Sequence, residues 1–185
     1  MGYLPAGAIT ALAVASVGFH IYLIFVGLIP NLVSRPLHLA LVLPWVFVIG
    51  DAATGWRKGI GWSLCAIGLA CSLAIVFWRV PLEDQYGSLE GWTQRALAVA
   101  LILIVLEMAR RAIRLALPLV ACATLAYGFF GSYLPGEFGH PGIPFDSFMG
   151  TLVIAEGGLW GPLTGVSVNV VAIFVILGAL VSAGE

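Results

Sequence analysis

Long uncharged apolar runs are the feature that most constrains this sequence. No charged residue precedes Arg35, and the apolar run 6–29 exceeds the roughly 20 residues that a helix needs to cross about 30 Å of hydrocarbon. Hydrophobic residues make up 61% of the chain and charged residues only 9%, whereas a soluble domain carries roughly a quarter. So few charges cannot cover a water-facing surface. We therefore predict an all-α integral membrane protein in a lipid bilayer.

The apolar runs and the polar breaks between them predict about six transmembrane helices. The runs are 6–29, 37–53, 59–78, 96–108, 115–134 and 157–183. Pro44 lies inside the second run, which is expected to kink, and residues 35–38 before it are expected to form an interfacial elbow. Glycine, proline and polar residues make 80–93 and 133–144 predicted loops. The arginines after the fourth run are expected to mark a turn or an interfacial elbow.

Residues 145–156 carry a different pattern, with apolar side chains at helical spacing opposite polar ones. The apolar set is Phe145, Phe148, Met149, Leu152 and Val153, and the polar set is Asp146, Ser147, Thr151 and Glu156. This pattern predicts one short amphipathic helix lying in the membrane interface.

The distribution of basic residues predicts the orientation of the spans, because Lys and Arg near span ends favour the cytoplasm. A cytoplasmic N-terminus places five basic residues inside and three outside. The inner set is Arg57, Lys58, Arg110, Arg111 and Arg114, and the outer set is Arg35, Arg79 and Arg95.

Several classes of function have no support in the sequence. A net charge of −1 leaves no basic face for nucleic acid. Cys65, Cys71 and Cys122 lie in apolar stretches without metal-ligand spacing and are interpreted as packing residues. No catalytic motif and no paired carboxylates occur. We expect no enzymatic activity, no catalytic or metal-binding residues and no bound cofactor.

Ionisable residues within the spans are the candidates for function, because they are costly in a bilayer. His20 allows a proton relay or a hydrogen-bonded packing role. His38 is expected to fix the interfacial elbow rather than to bind metal. Glu107 precedes Arg110 and Arg111 by three and four residues, the spacing of an ion pair on one helix face.

Two further candidates lie late in the chain. Glu156 precedes two glycines and could face either a partner helix or water. His140 lies in the glycine- and proline-rich loop, where solvent access is expected.

Four separated stretches together resemble the N-terminal part of fused permeases of the tripartite ATP-independent periplasmic (TRAP) transporters. They are 34–40 (SRPLHLA), 106–111 (LEMARR) with 116–118 (ALP), 127–136 (YGFFGSYLPG) with 139–142 (GHPG), and 156–161 (EGGLWG) with 165–167 (GVS). Their order and spacing carry the resemblance, although Pro36 departs from the family pattern and the first span matches no motif.

The resemblance implies a division of the chain and a function. Residues 1–112 are similar to the small four-helix subunit, 113–143 to a connector helix and periplasmic loop, and 144–185 to the start of the large transport module. The family imports organic acids with a periplasmic substrate-binding protein and a sodium gradient, in the bacterial inner membrane. Its substrate and sodium ligands lie in broken helices, which are expected beyond Glu185.

The chain is accordingly expected to be a fragment or a split subunit that needs the remainder of the permease. The alternative is a membrane assembly module that stabilises a partner transporter subunit without binding substrate. An intramembrane hydrolase would need a nucleophile and a base facing each other, and the sequence indicates none.

Overall fold

The computed structural model describes residues 4–50 and 55–184, and within these ranges the protein is helical without any strand. The helices are α1 (Ala6–Val26), α2 (Asn31–Ile49), α3 (Trp56–Phe77), α4 (Arg79–Glu83), α5 (Gly91–Ile113), α6 (Ala116–Phe130), α7 (Phe145–Val153) and α8 (Pro162–Ala183). The predicted all-α class is confirmed. The predicted end of the second span, at 51–53, lies outside the described residues.

Five helices in the described part of the chain are long and apolar enough to cross a membrane: α1, α2, α3, α6 with its continuation to Tyr133, and α8. The predicted fourth span corresponds to α5, which has 23 residues but is not one of these five. Its uncharged stretch, between Arg95 and Glu107, is shorter than a bilayer crossing. The count of six spans stays a prediction.

Helix α2 corrects the expectation of an elbow at residues 35–38. The helix begins at Asn31 and continues through Arg35 and His38, so neither residue fixes a bend. Pro36 is fully buried, and packing of this face overrides the local preference against a helix. The irregularity expected at Pro44 takes the form of a π-helical turn over Trp45–Ile49, a common response to an interrupted helical ladder.

The core lies where α2, α3 and α5 pack together. Its fully buried side chains include Leu43, Ile75 and Leu101. Helix α3 turns small residues toward α2, namely Gly61, Cys65, Gly68 and Ser72. A Cβ at Gly68 would lie 2.7 Å from Leu43 Cδ1, and one at Gly61 would clash with the backbone oxygen of Phe47. Small residues therefore allow the close helix approach that is usual in membranes.

The segments that connect the helices agree only in part with the loops and turns predicted from the sequence. Residues 80–93 were expected to be loop, but Arg79–Glu83 form a helical turn with Leu82 buried. The turn expected at the arginine cluster is confirmed, because α5 ends and α6 begins on either side of Arg114, whose φ is 69°. The loop predicted at 133–144 contains only a short 3₁₀ turn, Gly136–Phe138, after the one that ends at Tyr133.

The predicted amphipathic helix is present as α7, and protein covers much of its apolar side. Met149 and Val153 are buried, and the Phe148 ring packs edge-on against Phe129 at 4.8 Å. At its polar side, Asp146 accepts two hydrogen bonds from Arg95, at 2.7 and 2.8 Å. Helix α7 is thereby fixed to α5 and α6. Its position in a membrane interface stays a prediction.

Candidate functional site at the α2–α8 seam

Three polar residues of α2 lie on one face of the helix and contact the segment 156–167. Asn31, Arg35 and His38 are spaced i, i+4 and i+7, which places them along one side. Each has a partner at the entry to α8 or in its first turns: Glu156, the Trp160 carbonyl and Ser167 respectively. We call these six residues the polar seam.

Asn31 and Glu156 close one end of the polar seam. The Asn31 side-chain amide donates to Glu156 Oε2 at 3.0 Å. Glu156 is exposed at this contact, and it stands beside the first residue of α2, where the positive end of the helix dipole favours a carboxylate. Glu156 thus contacts the partner helix α2 and also faces the outside, so it satisfies both alternatives.

Arg35 occupies the middle of the polar seam. Its Nη1 donates to the backbone carbonyl of Trp160, while its Nε is buried without a hydrogen-bond partner in the described part of the protein. Gly165 lies directly against the guanidinium, because a Cβ there would stand 2.8 Å from Arg35 Nη2. The absence of a side chain at residue 165 is thus a condition for the position of Arg35.

Trp160 holds the backbone to which Arg35 binds. Its indole is buried, with 1% of its surface exposed, and its Nε1 donates to the Val153 carbonyl at 2.5 Å. Thr164 donates to the Leu159 carbonyl at 2.5 Å. These bonds fix the turn before α8, so that the Trp160 carbonyl faces α2.

His38 joins three helices. Its Nδ1 lies 2.8 Å from Nε2 of His20 in α1, and its Nε2 lies 3.4 Å from Oγ of Ser167 in α8. Nδ1 of His20 lies 2.7 Å from the Ser16 carbonyl. The hydrogen bonds that the packing role considered for His20 requires are therefore present, and the proton relay stays a prediction. No group of three or more potential metal-binding side chains occurs in residues 4–50 and 55–184.

A cavity of about 590 Å³ opens beside the polar seam. Its polar wall consists of His38, Thr164 and Ser167, and apolar residues of α5 and α6, among them Met108 and Leu117, form much of the rest. The His38 imidazole is therefore reachable from a space whose lining is largely apolar.

The remaining predicted candidates form a separate ionic cluster. Glu107 accepts hydrogen bonds from Arg110 at 2.7 and 2.8 Å and from Arg111 at 2.8 Å. The predicted ion pair is confirmed. The Arg111 guanidinium also lies 4.8 Å from the centre of the Phe47 ring, a cation–π contact. This cluster ties the end of α5 to α2, and it borders a cavity with Trp56 rather than the polar seam.

His140 has a local role in the loop before α7. Its Nδ1 lies 2.7 Å from the Pro141 carbonyl and its Nε2 lies 3.1 Å from the Tyr127 carbonyl. Only the imidazolium can donate to both carbonyls. These two acceptors, the Pro141 carbonyl first, raise the pKa of His140 above its ordinary value.

The structure thus brings Arg35, His38 and Glu156 together and places the Glu107 cluster elsewhere. Asn31 and the role of Ser167 in the polar seam were not predicted from the sequence. The spacing of Asn31, Arg35 and His38 was the available signal for a polar face on α2, but nothing in the sequence specified its partner.

Comparisons of this chain with protein-family models, curated proteins and solved structures find no match.

Substitution of Gly165 tests the central contact of the polar seam. Gly165→Ala should displace the Arg35 guanidinium, leave the Trp160 carbonyl unpaired and destabilise the fold by about 1–3 kcal/mol. Gly178→Ala is the matched control in α8, because a Cβ there meets no atom within 4 Å. Stability is measured by thermal unfolding in detergent, followed by tryptophan fluorescence.

A double-mutant cycle distinguishes loss of the Gly165–Arg35 contact from an unrelated destabilisation of α8. In an Arg35→Ala background, Gly165→Ala should lose most of its effect, because its clashing partner is gone. Equal destabilisation in both backgrounds would contradict the assigned contact.

Proposed function

We propose that this protein is a membrane component of a TRAP-type secondary transporter, located in a bacterial inner membrane and crossing it several times. Its partners are a periplasmic substrate-binding protein, the remainder of the permease and the lipid bilayer. The transported substrates are organic acids and the coupling ion is sodium. The ligands for substrate and sodium are proposed to lie in the remainder of the permease.

The observation that carries the proposal is the meeting of two distant stretches on which the family resemblance rests. Arg35 and His38 belong to the first stretch, and Glu156, Trp160 and Ser167 to the last. They are separated by more than a hundred residues of sequence, yet Arg35 contacts Trp160 and His38 contacts Ser167. Glu156 contacts Asn31, which lies just before the first stretch. Contact between the two stretches gives a physical reason why both occur in one sequence. This supports treating them as parts of one family pattern.

The exposed surfaces support the location in a membrane. Phe25 of α1 and Phe174 of α8 are 82% and 68% exposed, and few residues of α1, α6 or α8 are buried. Such apolar surfaces are stable in contact with lipid or with another apolar subunit. We propose that α1, α2, α3, α5, α6 and α8 form six crossings and that the N-terminus is cytoplasmic.

Reporters active on only one side of the membrane test this topology. Fusions at Ser88 and Glu137 should report the periplasm, and fusions at Arg57 and Arg111 the cytoplasm. Ser88 and Arg111 lie near opposite ends of α5, so opposite results for these two fusions establish that α5 crosses the membrane. The same side for both would remove α5 from the crossings, and a reversal of all four would overturn the orientation.

The second candidate is a membrane assembly module that stabilises a partner transporter subunit without binding substrate. The observation that favours it is the contrast between a well-packed α2–α3–α5 core and the largely unburied helices α1, α6 and α8. A partner subunit could cover these faces.

Uptake by whole cells separates the two candidates. Sodium-dependent uptake of a panel of radiolabelled carboxylates is compared in cells with the native gene and cells without it. For the transporter component we expect deletion to abolish uptake of at least one acid even where the partner subunit is present in the membrane at its normal amount. Uptake that falls only in proportion to a loss of the partner subunit from the membrane would favour the assembly module. Unchanged uptake of every acid after deletion would contradict the transporter proposal.

A further inference from the structure

The hydrogen bonds of His20 and His38 have one consistent direction when both imidazoles are neutral. The Ser16 carbonyl can only accept, so Nδ1 of His20 donates to it. Nε2 of neutral His20 must then accept, and Nδ1 of His38 donates across the 2.8 Å contact. Nε2 of His38 is left as an acceptor, which the Ser167 hydroxyl faces at 3.4 Å. Three helices thus share one oriented chain of hydrogen bonds.

One end of this series of hydrogen bonds is accessible from a cavity, and the other end is buried. His38 and Ser167 line the cavity of about 590 Å³, so a proton can reach Nε2 of His38. His20 is buried, with 6% of its surface exposed, and its chain ends on the Ser16 carbonyl, which cannot pass a proton on. We propose that the His20–His38 pair is a binding site for a single proton, loaded through His38 and stored on His20.

The transfer balances without any further reactant. The incoming proton forms a bond to Nε2 of His38, and the Ser167 hydroxyl rotates from donor to acceptor. The proton on Nδ1 of His38 then moves to Nε2 of His20. His20 becomes the imidazolium and donates from both nitrogens, while His38 is again neutral in its other tautomer. The pair has gained one proton and no bond to a carbon atom has changed.

The surrounding charges limit the site to one proton. Two imidazolium rings that share a contact of 2.8 Å repel each other strongly. Arg35 adds a permanent positive charge one turn before His38. Neither α1 nor α8 contains Asp, Glu, Lys or Arg, and the Glu107 cluster borders a different cavity. No carboxylate on the helices packed around the pair therefore compensates a second charge.

This site is independent of the proposed transport function, because it requires only α1, α2 and α8. In a transporter it would make this part of the permease respond to the proton concentration on the side to which the cavity opens.

Histidine-selective ¹⁵N NMR tests the proposal on the full chain in lipid nanodiscs. His140→Gln removes the third imidazole, so that only the pair is observed. At about pH 8 both rings should carry the proton on Nδ1, and a through-bond coupling should join His20 Nε2 to His38 Nδ1. Between about pH 8 and pH 4, spanning the ordinary histidine range, one imidazolium should form per chain. The second should require at least a tenfold higher proton concentration.

Two outcomes would overturn the proposal. If both rings stay neutral over this range, the contact is a structural hydrogen bond only. If both rings charge together in one step, they do not form a shared site. His20→Gln in the same background is the further check: without the positive charge on His20, the one remaining step, that of His38, should need a lower proton concentration than the second step of the pair, with an unchanged backbone spectrum as the control for folding. The coupling measurement on the His140→Gln protein stands even if this variant does not fold.

Discussion

The polar seam is the contact on which the position of α8 relative to α2 depends. Apolar helices in a bilayer gain little from burying apolar surface against each other, because lipid tails are equally apolar. Close packing and hydrogen bonds must then specify which helices associate. The protein uses both means: small residues of α3 admit α2, and α2 presents Asn31, Arg35 and His38 to the segment before and within α8. The buried Arg35 Nε has no hydrogen-bond partner among the described residues, and burying such a group is costly, so we infer that the seam specifies geometry more than it adds stability.

The polar seam places ionisable side chains where α1, α2 and α8 meet. The turn fixed by Trp160 holds α8 beside α2 and so brings Ser167 to His38, which also contacts His20 of α1. The cavity next to them is otherwise largely apolar. An ionisable pair of which one member, His38, lines a largely apolar cavity between helices is typical of a site that responds to an ion or to a ligand.

Features that local composition determines were predictable from the sequence, whereas features that depend on tertiary contact were missed. Helices α1, α3 and α8 were foreseen because their uncharged runs admit no other structure in lipid, and the ion pair of Glu107 because helical spacing alone defines it. The elbow at residues 35–38 was wrong, since packing of buried Pro36 outweighs its local preference. The partners of Asn31 and Arg35 lie 125 residues away, and no local pattern specifies a pairing over that separation.

Cross-linking in native membranes tests the polar seam most directly. Cysteines replace Asn31 and Glu156 in a background with Cys65, Cys71 and Cys122 changed to alanine, and a short bifunctional thiol reagent is added. The control pair is Asn31→Cys with Gly178→Cys, about three helical turns beyond Ser167. An intramolecular cross-link for the first pair and none for the control is the predicted result. No cross-link between residues 31 and 156, or equal cross-linking of both pairs, would contradict the seam as the contact that joins α2 to α8.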